Sequence, residues 1–167
     1  LDNILLIGQI TGSDIRAEKV VATLKDRIKT VSDKADTATH RPRVLCREWL
    51  YPIFVGGHWI PEMVALAGGI DGLGHTGKPS FQVPWHQVAK YNPEIIILMP
   101  CGFSTDRTLK EFGRVQFPPE WDQLAAVESG NVYAVDGSSY FNRPGPRIVH
   151  GLEILGQSTI SGSVSRI

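Results

Sequence analysis

Apolar residues at Ala17, Val20, Val21, Leu24, Ile28 and Val31 recur at the i, i+3, i+4, i+7 spacing of one helical face, which predicts a helix from Ser13 to about Asp36. Ser13 suits its N-cap, Asp14 and Glu18 lie near its start, and Lys25, Arg27 and Lys29 lie toward its end, as the helix dipole favours. At 1.5 Å per residue such a helix is roughly 35 Å long. Thr37 to Pro42 reads as a linker, because the residue before a proline is pushed out of the helical region. Beyond it, short apolar runs alternate with helical spacing, the pattern of βαβ units around a mostly parallel sheet. The predicted order is a strand at Val44 to Arg47, a helix from Ile60 to Ala67 stopped by Gly68-Gly69, and a helix from Trp85 to Tyr91 opened by Pro84. A strand at Glu94 to Met99, helices near Thr105 to Phe112 and Pro119 to Val127, a strand from Val132 and a helix from Pro144 to Leu155 complete it. The unbroken Ile95-Ile96-Ile97-Leu98 run predicts a strand buried on both faces. Gly156 to Ile167, rich in Ser and Gly, predicts a frayed tail.

Composition narrows the function classes more than the fold. Seventeen basic residues balance seventeen acidic ones, so no field of one sign points to nucleic acid or an anionic membrane surface. No apolar run approaches the roughly 20 residues of a membrane span. The chain opens without methionine inside an apolar segment, as a processed or truncated piece would, and it carries no recognisable signal peptide to indicate a compartment. Cys46 and Cys101 form no metal-ligand spacing and read as small, buried side chains.

The chemistry gathers where strands end. The first strand runs into Glu48-Trp49-Leu50-Tyr51-Pro52 and then Gly56-Gly57-His58-Trp59, the second into Pro100-Cys101-Gly102-Phe103, and the last into Tyr140-Phe141-Asn142-Arg143. Open α/β sheets bind ligands just outside the carboxyl ends of their strands. Aromatic rings supply contact area at small entropic cost, and an amide with a guanidinium orients a polar edge, so this set suits a large, flat, partly polar ligand. His58 is a candidate axial ligand to a metal carried by such a molecule. His58, Glu48 and Cys101 would form a Cys-His-Glu set if they met at the sheet edge, which keeps a small Cys/His-dependent enzyme as an alternative. No nucleophile elbow, phosphate loop or zinc motif accompanies them.

Several spaced motifs resemble one family. Ile4-Leu5-Leu6-Ile7-Gly8 and Thr11-Gly12 before the long helix, Val83-Pro84-Trp85-x-Gln87-Val88 with Asn92-Pro93-Glu94-Ile95-Ile96, and Val132-Tyr133-Ala134-Val135 through Pro146-Arg147 are similar to the C-terminal half of the periplasmic cobalamin and iron-complex binding proteins of ABC importers. The resemblance implies a three-layer α/β/α lobe with a mostly parallel sheet, preceded by the family's long interdomain backbone helix. It divides the chain into the end of an N-lobe with that helix (residues 1–40), a ligand-binding C-lobe (41–157) and a flexible tail (158–167). It further implies cobalamin or a related corrinoid, a ferric siderophore or haem as transported ligand rather than cofactor, a membrane permease as partner, and an extracytoplasmic, membrane-anchored location. Tyr140 takes the place of the family's cleft aromatic. The family's N-terminal lobe is absent from these residues, so the expected apolar patch along Trp49, Tyr51, Phe103 and Tyr140 would favour self-association. A stand-alone dimerising module is the remaining alternative.

Overall fold

The computed structural model describes residues 1–161. It opens on a helical hairpin, α1 (Asp2–Thr11) and α2 (Asp14–Asp36), turning at Gly12 in the left-handed region (φ 64°). The remaining elements are β1 (Val44–Trp49), β2 (Phe54–Val55), α3 (Ile60–Leu66), β3 (Phe81–Gln82), α4 (Trp85–Tyr91), β4 (Ile95–Leu98), α5 (Thr105–Phe112), α6 (Ala125–Glu128), β5 (Val132–Ala134), α7 (Gly137–Tyr140) and α8 (Ile148–Gly156).

The strands form one sheet in the order β3-β2-β1-β4-β5. β1, β4 and β5 are parallel, in the register Val44↔Ile95 to Arg47↔Leu98 and Ile96↔Val132 to Leu98↔Ala134. Alternation then sorts the side chains into two cores. Val44, Cys46, Ile95, Ile97 and Tyr133 pack with α3, α8 and Val31 of α2, while Leu45, Ile96, Leu98 and Val132 pack with Val88, Trp121, Leu124 and Ala126. Helices thus cover both faces, which makes the three-layer lobe. The long helix is fastened to it by Arg27, whose guanidinium donates two hydrogen bonds of 2.7 Å to the carboxylate of Glu153 on α8.

The elements depart from those expected at four places. β2 and β3 were not foreseen: they extend the sheet antiparallel to β1, and two residues are too few to carry a periodic signal. The helix expected from Pro119 to Val127 divides into a 3-10 turn at Pro119–Gln123 and α6, with Leu124 extended between them (ψ 134°). The helix expected from Pro144 begins only at Ile148, and the two prolines lie in the loop between α7 and α8. Of the expected tail, Gln157–Ser161 forms a π-helical turn with Ser158 buried and the Thr159 hydroxyl donating to the Ala67 carbonyl, while residues 162–167 lie outside the described residues.

Arg47 is the costliest residue of the second core. It is 1% exposed, its Nη2 donates to the Leu50 carbonyl, and its Nε and Nη1 have no hydrogen-bond partner among the described residues. The Phe117 and Trp121 rings stand 5.8 and 5.9 Å from its guanidinium carbon, within cation-π range. Burial pushes its pKa down to about 10. Removing an unpaired buried charge while keeping the volume is often stabilising, so Arg47→Met is expected to raise stability by about 1–3 kcal/mol in urea unfolding. A loss larger than about 1 kcal/mol would show that the ring contacts and the Leu50 bond outweigh desolvation.

Candidate ligand-binding rim

Because β1, β4 and β5 run the same way, their carboxyl ends deliver three loops to one edge of the sheet. The ladder continues past the strands: the Met99 amide donates to the Arg47 carbonyl at 2.9 Å, and the Cys101 amide to the Glu48 carbonyl at 3.2 Å. The Ser138 amide reaches the Phe103 carbonyl at 3.3 Å, joining the loop after β5 to the loop after β4. α7 is capped by Asp136, whose carboxylate accepts the Ser139 amide at 2.7 Å and the Ser139 hydroxyl at 2.9 Å.

On this edge Trp49 and Phe103 meet edge to face with centroids 5.3 Å apart, Trp49 being 38% exposed and Phe103 buried beneath it. Tyr51 stands out on the β1–β2 turn, 76% exposed. Arg107 places its guanidinium 3.8 Å from the Phe103 ring centroid, closing the shelf from the α5 side. A cavity of about 510 Å³ opens there, bounded by Trp49, Leu50, Tyr51, Phe103 and the Glu111–Gln116 segment. A second, of about 320 Å³, is bounded by Glu48, Trp49, Phe54 and Cys101.

Glu48 is half-buried and accepts the Ser80 hydroxyl. Burial pushes its carboxyl up, against the opposing pull of Ser80 and of the nearby His58. Cys101 is exposed, not the buried side chain expected, although partial burial of its thiol, and secondly the Glu48 charge, push it up. A thiol in that state is a poor nucleophile, which removes the support for a Cys-His-Glu catalytic set. His58 is exposed with φ 54° and sits in a backbone clasp, its amide donating to the Lys78 carbonyl at 2.6 Å and its carbonyl accepting the Gly77 amide at 2.7 Å. No group of three or more His, Cys, Asp or Glu side chains suited to a metal ion occurs among the described residues.

The β5 side of the rim differs from expectation. Phe141 is 0% exposed and packs in the first core, so it cannot touch a ligand. Trp59 is drawn inward too: its indole N–H donates to the Phe141 carbonyl at 2.9 Å, and its ring packs against the same core. The Asn142 amide turns to the Met99 carbonyl at 3.5 Å, with its oxygen buried and unpartnered among the described residues. Tyr140 is half-buried, 6.0 Å from the His150 ring. Arg143 is exposed and has no hydrogen bond or ion pair among the described residues. Ser80 and Phe54 join the rim although their sequence context carries no motif; only the antiparallel β2–β3 extension brings them there.

The sequence model of the periplasmic binding protein family matches residues 1–138, from α1 through the sheet to the start of α7. The chain belongs to that family. YvrC of Bacillus subtilis (strain 168), an uncharacterized ABC transporter substrate-binding lipoprotein, is 24% identical to it over 93% of this chain and 48% of its own. The chain therefore spans about half the length of that curated relative. Two solved structures share the fold. A possible iron-binding periplasmic solute-binding protein from Staphylococcus epidermidis superposes with a TM-score of 0.75 at 23% identity, over 94% of this chain and 60% of its own. IsdE of S. aureus, solved with haem, superposes with a TM-score of 0.79 at 17% identity, over 95% and 62%.

The rim of this periplasmic binding protein depends on close backbone approach at Gly137. A Cβ there would lie 2.6 Å from the carbonyl oxygens of both Met99 and Pro100 and 2.8 Å from Asn142 Oδ1. Gly137→Ala is therefore expected to cost about 1–3 kcal/mol in chemical unfolding, the range for overpacking. An unchanged midpoint would show that the β4 and β5 loops can separate freely.

Proposed function

We propose that this chain supplies one lobe of the solute-binding component of an ABC importer and holds a metal-chelate macrocycle, a corrinoid in the first place, against the rim at the carboxyl edge of its sheet. The observation that carries the reading is the exposed pair Trp49 and Tyr51, with Trp49 braced edge to face on the buried Phe103, beside a cavity of about 510 Å³. Such a surface fits a flat ring far larger than an amino acid or an inorganic ion. The family and the kind of protein YvrC is named as support the transport role. Ferric siderophore or haem is the second reading, favoured by the iron-binding and haem-bound neighbours on the same fold.

The ligand is cargo rather than cofactor, so binding must be reversible and no chemistry is asked of the rim. The apolar side chains Leu6, Ile7 and Ile10 of α1, with Ile15 of α2, are exposed, and the proposal assigns them to contact with the second lobe. The assembled protein works outside the cytoplasmic membrane, as a lipoprotein like YvrC, and hands its cargo to the permease.

Titration of dicyanocobinamide, haemin and a ferric hydroxamate against tryptophan fluorescence tests the reading. The corrinoid is expected to quench with a dissociation constant at or below about 100 μM, equivalent to about −5.5 kcal/mol. Trp49→Ala should abolish most of that quench. Flat curves for all the probes would remove the proposed role. Arg143→Ala should weaken binding by about 1.5–3 kcal/mol, as for a hydrogen bond to a charged group, at an unchanged melting temperature, because the side chain has no partner among the described residues. A lower melting temperature with unchanged binding would make Arg143 structural.

A further inference from the structure

Glu48 is the one charged side chain bounding the cavity of about 320 Å³ that it shares with Trp49, Phe54 and Cys101. Cys46 ends in the core, whereas Glu48 comes out at the end of β1, where the pairing with β2 shifts register between Arg47 and Trp49. Its only hydrogen-bond partner among the described residues is the Ser80 hydroxyl. That hydroxyl is itself oriented, since Ser80 Oγ accepts the Gly57 amide at 3.2 Å and so turns its proton toward Glu48. A carboxylate has about four acceptor positions. One is used, and no Lys, Arg or His forms an ion pair with Glu48 among the described residues. Glu48 borders a cavity otherwise lined by Trp49, Phe54 and Cys101, and beside so apolar a surface an unpaired charge is costly and an added hydrogen-bond donor is correspondingly welcome.

From this geometry, and resting on the reading of the rim as a chelate-binding surface, we propose that Glu48 determines which chelates are accepted. It favours macrocycles edged with N–H or O–H donors, such as carboxamides and hydroxyls, and rejects those edged with carboxylates. An amide edge satisfies the spare acceptors of Glu48. A carboxylate edge brings two like charges together in a partly desolvated site, and such a repulsive element is how a shared aromatic surface becomes selective. Burial pushes the Glu48 carboxyl up more than Ser80 and the nearby His58 pull it down, in keeping with a charge that is only partly compensated. The aromatic rings are indifferent to the edge of the cargo, and with Arg107 and Arg114 beside the neighbouring cavity, Glu48 is the rim charge that opposes an acid edge at its own side of Trp49.

The test compares two probes with the same ring, an iron porphyrin bearing two propionates and its diamide, with dicyanocobinamide as a further amide-edged ring. The wild-type chain is expected to bind the diamide at least tenfold tighter than the diacid. In Glu48→Gln that ratio should fall to near one, mainly through tighter diacid binding, because a carboxamide can donate to a carboxylate. Ser80→Ala, which removes the hydroxyl that holds the Glu48 carboxylate, should shift the ratio without changing the number of charges. If Glu48→Gln fails to fold by circular dichroism, a Ser80→Ala ratio equal to wild type overturns the proposal. A ratio that Glu48→Gln leaves unchanged, or a wild-type preference for the diacid, overturns the role of Glu48 while the chelate-binding reading stands. If folded wild-type chain binds none of the three rings, that reading falls and the inference with it.

Discussion

The shared direction of β1, β4 and β5 is the constraint on which the rest of this molecule depends. Every residue of Ile95–Leu98 is buried because helices lie on both faces of that strand, and the flanking registers leave no slip that would keep those four side chains covered. Parallel pairing also means that each connection must cross back over a face and that all three carboxyl ends open on one edge. Pairing in the core therefore determines where the three loops are displayed, and the loops only determine what is displayed there.

Adjacent residues on one strand show how differently two charges can be housed. Arg47 and Glu48 are neighbours of opposite sign, yet Arg47 is buried, Glu48 borders the rim cavity where the β1–β2 register shifts, and no ion pair joins them among the described residues. Arg47 finds aromatic rings and a carbonyl in place of a carboxylate, and Glu48 finds a serine hydroxyl in place of a guanidinium. Each is left with unused hydrogen-bonding capacity. On the inner side this is a burden on folding, and on the outer side it becomes chemistry available to a visitor.

Much of this architecture was legible in the chain because its strongest signals are physical ones. The α2 periodicity, the apolar β4 run and the proline before α4 each act within a few residues, and each element appears where its signal places it. Signals that depend on partners distant in sequence were silent. The two-residue strands β2 and β3 exist because β1 offers an edge, and Ser80 reaches Glu48 only through that pairing. The cluster from Tyr140 to Arg143 misled for a related reason. Its aromatics suit a cleft and a core equally, and the short helix α7 turns Phe141 inward while leaving Arg143 outside.

The clasp around His58 bears on how such a rim can change over time. Its bonds run from backbone to backbone, the His58 amide to Lys78 and the Gly77 amide to His58, so the side chain takes no part in them, although φ 54° restricts which residues fit there. The joint between the β4 and β5 loops, from the Ser138 amide to the Phe103 carbonyl, is of the same kind. A scaffold held in this way can exchange the letters it presents without moving the lines on which they are written. Side chains on such a rim can therefore change, wherever the backbone keeps to ordinary conformations, at little cost to the fold that displays them.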